Sequence, residues 1–469
     1  MRKYLSMIIL IISSVLYGCV SAGGTLASGK GSLKYEKTGN GVKVASASAE
    51  MSVEVWKGDI LKVIWRKKGA QVPQETIVTA PEPPPFEVSE GDNIISLRTD
   101  RLTAEINMES GAVTYYDMHK NLLLAEGGRF VEETPEASGK YSVKQEFMFR
   151  PWEGLYGLEG YSSPDIYGAP EFNIKNSGKF PLLVSTAGYG IIWQGDNGAK
   201  FSGKPDDSYF SSDNAGGLEY YFIYGGTAGK TIAAACLITG KPSEPGNDDI
   251  ARAAAMATGG IENNSKLGNR FLPYVSSSLW ETFETGMPFI QQAAAVYTEG
   301  LKPHFAQYQY MAGKFIMACP VTMTAGTAAA ELPEGRVWYD FWKGIAMDGG
   351  QSIKLKVEKG KTPIYIPAGS ILPLSASNNS LEIRVYPGQD AEFTMHYGTA
   401  GNSNIRLYWE QRAKTLTIGQ LKGGDVAGVK GMKMKIVFVK KGHGAGAKEE
   451  PKPDSVVDYN GEITFVRMK

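Results

Sequence analysis

Short segments that alternate apolar and polar residues constrain this chain more than any other feature. From about residue 30 to 237, runs such as Val53-Glu-Val-Trp56, Leu102-Thr-Ala-Glu-Ile106 and Tyr220-Tyr-Phe-Ile-Tyr224 are separated by Gly, Pro, Asn and Asp. A period of two places successive side chains on opposite faces of a strand, so each run can bury one face and leave the other to water. The 56 glycines, 24 prolines and 24 tyrosines among 469 residues are spread along the chain, which favours short strands and turns over a helical bundle. A large β-sandwich is expected first, with β structure returning from about residue 308 to the end. At roughly 100–200 residues per domain, the length corresponds to two to four domains. The proline cluster Pro81–Pro85 marks an exposed crossing or edge, because proline cannot donate to a ladder.

Charge and rare residues narrow the chemistry. Basic and acidic side chains both number 49 and no run is dominated by one sign, so nothing supplies the positive field that a phosphate backbone demands. No nucleic acid partner is expected. Cys19, Cys236 and Cys319 are too few for a disulfide framework. Cys236 lies in Ile232-Ala-Ala-Ala-Cys-Leu-Ile238 and Cys319 in Phe315-Ile-Met-Ala-Cys319; both runs read as strand-like, with the thiols as small buried hydrophobes. His119, His304, His396 and His443 are scattered, and no H-E-x-x-H or C-x-x-C pattern occurs, so neither a metal nor a cofactor is expected. G-x-S-x-G and the phosphate-binding G-x-x-x-x-G-K-[ST] loop are also missing.

At the amino terminus, Arg2 and Lys3 precede the apolar run Met7–Leu16, and Leu16-Tyr-Gly-Cys19 sets a small residue before cysteine. This resembles a bacterial lipoprotein signal over residues 1–18. The resemblance implies lipidation of Cys19 and attachment to a membrane of the cell envelope, on its periplasmic or outer-surface side. The apolar stretch falls short of the roughly 20 residues a bilayer crossing needs.

After Ile238-Thr-Gly-Lys-Pro242 the pattern changes. Residues 251–260 read as a short helical connector, and a helix is expected from Asn269 to about Thr285, with Leu272, Val275, Leu279 and Phe283 as its apolar stripe and Gly286 as its cap. Glu281 and Glu284 read as a solvated face of that helix, and Asp206 and Asp207 as a polar turn. The expected organisation is a signal over 1–18, an N-terminal β-sandwich over 30–242, a connector and helix over 243–305, and two C-terminal β-sandwiches over 306–376 and 377–469.

Several blocks, in this order, resemble glycoside hydrolase family 31, the α-xylosidase and α-glucosidase family. Glu153-Gly-Leu-Tyr-Gly-Leu158 is similar to its amino-terminal E-x-L-Y-G-L-G segment, and residues 181–193 to its P-F-x-x-S-x-x-G-Y-G-x-x-W strand pair. Arg270-Phe-Leu-Pro-Tyr274 with Glu284-Thr-Gly-Met-Pro288 resembles its last barrel helix and the loop after it. Trp338-Tyr-Asp-Phe-Trp342 and Ala368-Gly-Ser-Ile-Leu-Pro373 resemble its proximal C-terminal sandwich, and Val385-Tyr-Pro-Gly388 its distal one. The resemblance implies a mainly β chain: a galactose mutarotase-like sandwich, a short helical remnant of a (β/α)₈ barrel, and two C-terminal sandwiches. The implied family activity is retaining hydrolysis of terminal α-xylosides or α-glucosides. Gln291 stands where the family usually has an arginine at the edge of the substrate pocket, and Glu159 where it usually has glycine.

Only residues 243–269 separate Pro242 from Arg270, whereas such a barrel needs about 250. A retaining mechanism needs two carboxylates about 5–5.5 Å apart. In the family they are aspartates in a W-x-D-M-N-E-like and a W-x-G-D-like segment, and no D-M-N occurs here. Trp193-Gln-Gly-Asp196 imitates the second, but its flanks place it after a strand of the first sandwich, where it reads as a β-turn. No catalytic residue is therefore assigned. The chain reads as an inactive glycosidase remnant, or alternatively as a non-catalytic lipoprotein that binds an α-linked oligosaccharide, or as a scaffold without either role. The rings of Trp338–Trp342 could stack on sugar, though core packing is the plainer expectation. Loss of the barrel should bare apolar surface and strip the helix from Asn269 of partners, leading to self-association, aggregation or collapse of that helix between the sandwiches.

Overall fold

The computed structural model describes residues 33–68, 82–133, 141–158, 165–175, 181–194, 198–215, 217–259, 265–297, 309–320, 328–355, 361–397, 403–423, 429 and 431–469. Cys19 and the amino-terminal segment, Glu159, Asp196 and His304 lie outside them. In Ala49–Lys57, Ala49, Met51, Val53 and Val55 are buried, while Glu50, Ser52 and Glu54 reach solvent, as a half-buried strand requires. Strands of this kind build two facing sheets. One has eight strands and runs from Lys34–Lys37 at one edge, through Ile60–Lys67 and Leu218–Tyr224 at its centre, to Leu155–Gly157. The other has nine and runs from Phe172–Asn173 to Glu87–Gly91, whose strand follows directly after Pro83–Pro85 and forms the edge the prolines marked. Between them Tyr115 stacks on Phe222 with centroids 3.9 Å apart, and Trp193 on Phe210 at 5.2 Å.

The run around Cys236 is not a strand. Helix α1, Ala228–Thr239, contains it: Thr227 caps the amino end by accepting from the Lys230 N–H, and Gly240, at φ 86°, ends it in a backbone region that side chains disfavour. A short uniform apolar run has no period that separates strand from buried helix, and here alanine content and caps decide. Ala235 and Ile238 of α1 lie on Trp56, Ile192, Tyr221 and Ile223 of the first sheet, on the face opposite the sandwich core.

Helix α2, Asn247–Ala257, carries Asp248 and Asp249 in its first turn, where they complement the helix dipole, and Asp249 accepts from the Gly246 N–H at 3.0 Å. Helix α3, Ser265–Thr285, begins four residues before the expected start and ends as expected, at Gly286 with φ 75°. Its buried stripe is Leu267, Phe271, Tyr274, Val275 and Trp280, so the expected stripe is offset: Leu272, Leu279 and Phe283 are only partly covered. Two rings, Phe271 and Tyr274, take the centre instead of the aliphatic residues.

The helix is not stripped of partners. It lies across the strands Ser370–Ala376 and Ala391–Tyr397, with Tyr274 stacked on Phe393 at 5.4 Å and Phe271 edge-on to Phe341 at 5.5 Å. A six-stranded sheet, a two-stranded ribbon and two four-stranded sheets make up the C-terminal part. The residue boundary expected at 376/377 falls within a hairpin, because Ser370–Ala376 pairs with Ser380–Tyr386 in one sheet. Among the described pairings only Leu381–Val385 with Met434–Phe438 is parallel. Eight parallel strands are what a (β/α)₈ barrel consists of, so no such barrel exists among the described residues.

Candidate functional site

Among the described residues three glutamates are almost wholly buried, and each is enclosed by partners that hold it in place. Glu126 accepts from Arg129 at 2.9 Å, from the Tyr220 hydroxyl at 2.6 Å and from the Val113 N–H at 2.7 Å. Glu382 accepts from Arg384 at 2.6 Å, from Arg270 of α3 at 2.8 Å and from the Glu450 N–H at 2.7 Å. Glu153, in the Glu153–Leu158 block, accepts from the Ser185 hydroxyl at 2.7 Å and the Tyr189 hydroxyl at 2.5 Å. Burial raises the Glu153 carboxyl above its ordinary range, and those two hydroxyls with Arg150 only partly offset the rise. A raised carboxyl resembles a general acid in its proton affinity, but Glu153 is 3% exposed and faces its hydrogen-bond donors rather than an opening.

Glu126 and Glu382 are each held against arginine, and Glu153 against two hydroxyls. A cavity of about 180 Å³ beside Trp342 is lined by Asp340 as its sole acid, with Lys343, Lys354 and Lys361. Asp340 is already occupied: it accepts from the Trp342 and Lys343 N–H groups at 2.8 and 3.1 Å. A second groove, between Lys37 and Lys120, has Glu87 as its one acid. No cluster of three metal-ligating side chains occurs among the described residues.

The positions singled out in the sequence are dispersed. Glu281 pairs with Lys314, on the flank of α3, and Glu284 is exposed. Asp207 pairs with Lys144 at 3.0 Å. His396 stacks on Trp280, and His443 lies 2.8 Å from Asp454. Within Trp338–Trp342, Trp338 and Phe341 are core residues and Trp342 is half-buried, its indole N–H donating to the Thr362 carbonyl at 2.7 Å. Gln291 packs against α1, where a Cβ on Gly229 would stand 2.4 Å from its Oε1, so the short strand Ile290–Gln292 that follows α3 abuts α1. Cys319 is buried and its thiol is pushed well up by that burial, whereas Cys236 is only partly covered. Sequence reading missed Glu126, Glu153 and Glu382 as buried groups. For Glu382 a signal existed: Glu382 and Arg384 point to the same side of one strand within an otherwise apolar run.

These features define a mainly β protein built of stacked, largely antiparallel sheets. Residues 50–158 match the glycosyl hydrolase 31 N-terminal galactose mutarotase-like domain, and residues 286–372 the glycosyl hydrolase family 31 C-terminal domain. By these two domains the chain belongs to glycoside hydrolase family 31. It is 30% identical over 217 residues to an α-xylosidase of Saccharolobus solfataricus, covering 43% of this chain and 29% of that protein. It is 24% identical over 262 residues to α-glucosidase 2 of Bacillus thermoamyloliquefaciens, covering 50% and 32%. The matched part is thus about a third of each relative's length. Among solved structures, the fold is similar to a family 31 α-xylosidase from Xanthomonas citri, with TM-score 0.77, 13% identity, and 92% of this chain and 100% of that one covered. It is also similar to a Flavobacterium johnsoniae dextranase complexed with glucose, with TM-score 0.71, 12% identity and 89% and 92% covered.

Proposed function

We propose that this chain is a family 31 protein that does not hydrolyse glycosides. The observation that carries this reading is the path from Thr239 to Ser265: in place of a barrel it holds α2, and α3 then joins the C-terminal sheets directly. Without a parallel barrel no scaffold sets two carboxylates about 5–5.5 Å apart over a scissile bond. The purified full chain should release no aryl leaving group from α-xylosides or α-glucosides. Turnover that disappears in Asp196→Asn would overturn the proposal, because it would make the W-x-G-D-like segment catalytic.

Retention of an α-linked oligosaccharide without cleavage is the second reading, supported by the half-buried Trp342 indole at the wall of the cavity of about 180 Å³. Calorimetry with xyloglucan oligosaccharides tests it: heat lost in Trp342→Ala supports binding there, and no heat at millimolar sugar rejects it. Attachment to the cell envelope through a lipid on Cys19 belongs to the same proposal and rests on residues 1–19 alone. Incorporated lipid label should vanish in Cys19→Ala, and its persistence would reject the anchor.

A further inference from the structure

One sheet face carries a pattern that reads the same from either side. The strands Ala391–Tyr397, Ser403–Glu410, Thr415–Ile418 and Thr464–Arg467 form a four-stranded antiparallel sheet. Its inner face supplies Phe393, Leu407, Trp409, Leu416 and Val466 to the C-terminal core. On the outer face the register aligns Tyr408, Thr417 and Phe465 in one row, and Glu410, Thr415 and Arg467 in the next. Phe465 is 70% exposed and Tyr408 37%. Glu410 and Arg467 are exposed too, and neither forms an ion pair among the described residues.

We propose that this outer face binds the same face of a second copy of the chain. The argument is charge and size complementarity under one symmetry operation. A two-fold axis running along Thr415–Ile418 in the interface reverses each row, as an isologous contact demands. Tyr408 then faces the second copy's Phe465, and Glu410 faces its Arg467, each pair occurring twice. Thr415 and Thr417 meet their own counterparts at the centre, where small side chains let the aromatic pairs on either side close. Strands of the two copies run nearly aligned, which is one of the two common ways for sheets to stack. The three strands that overlap, about 4.8 Å apart and some four residues long, present a face of about 14 by 14 Å, roughly 400 Å² of projected area over both copies, well below the size of stable interfaces, so the dimer is weak and reversible.

Sedimentation of the full chain over a concentration series tests this, with circular dichroism to verify that each variant is folded. The wild type should show a monomer–dimer equilibrium that strengthens at low salt. Arg467→Glu sets two acids opposite each other and should weaken association about tenfold or more. Glu410→Arg should do the same with two bases. The double exchange Glu410→Arg with Arg467→Glu restores opposite charges and should recover most of the loss. Phe465→Asp should give monomers. A wild type that stays monomeric, a dimer that survives Phe465→Asp, or a double exchange no better than either single change would each overturn the proposal. So would a monomer whose Phe465 is needed for binding xyloglucan oligosaccharides, which would assign the face to glycan.

Discussion

Helices α1 and α3 stand on either side of the same short connection, yet they are held by different means. Helix α3 presses two fully buried rings, Phe271 and Tyr274, into the C-terminal core and ties its first turns to the sheet through Arg270 and Glu382. The buried side of α1 consists of Ala228, Gly229, Thr231, Ala235 and Ile238, and Leu237 is left 47% exposed. Large rings remove much apolar area from water, about 25 cal/mol for each Å², whereas alanines remove little. A helix beside this connection therefore persists according to what its own sheet offers, and α3 is not left without partners as the sequence led us to expect.

Substitutions can break this contrast. Phe271→Ala should destabilise the C-terminal part by about 3–5 kcal/mol in denaturant unfolding, while Leu237→Ala on α1 should cost within about 0.5 kcal/mol. Equal losses at the two sites would refute the distinction. Tyr274→Phe keeps the ring but removes a hydroxyl that donates to the Ala312 carbonyl at 2.8 Å and accepts from the Phe315 N–H at 2.9 Å. Two buried backbone groups lose their partner, and the expected cost is about 1–3 kcal/mol. Thr227→Ala removes the cap of α1 and should cost about 1 kcal/mol, read as faster amide exchange in its first turn with α3 unaffected.

The smallest effect concerns pH. Partial burial opposes the charged form of Glu449, but hydrogen bonds from Lys435 and Ser377 outweigh it and hold the carboxyl at about 2, below its ordinary value of 4.5. A depressed carboxyl contributes stability that is complete above the ordinary value and is lost as pH falls towards the folded one. The melting temperature should thus drop between pH 4.5 and 2 more steeply in the wild type than in Glu449→Gln. Parallel acid limbs would remove Glu449 from the account.

The sandwich was legible because alternation is a local signal: Ala49–Lys57 buries every second residue in the way its sequence spells out. The family blocks were legible for the same reason, since Trp338 and Phe341 occupy the core positions their pattern demands. Helix α1 was not, because Ile232–Ile238 is apolar at every position but one small thiol and has no period to read. The offset stripe of α3 escaped for a different reason. Which side of a helix is buried depends on where the strands Ser370–Ala376 and Ala391–Tyr397 come to lie, roughly a hundred residues downstream, and no spacing within α3 encodes that. The enclosed acids were equally hidden, since Glu126 meets Tyr220 only once two sheets have assembled.

The pairing of Ile60–Lys67 with Leu218–Tyr224 has a bearing on biosynthesis. A ribosome delivers the earlier strand more than 150 residues before its neighbour, and a chain emerging at about 5–20 residues per second leaves that edge unsatisfied for many seconds. Through that interval the unpaired edge is open to other chains, so slower synthesis lengthens the time in which it can aggregate.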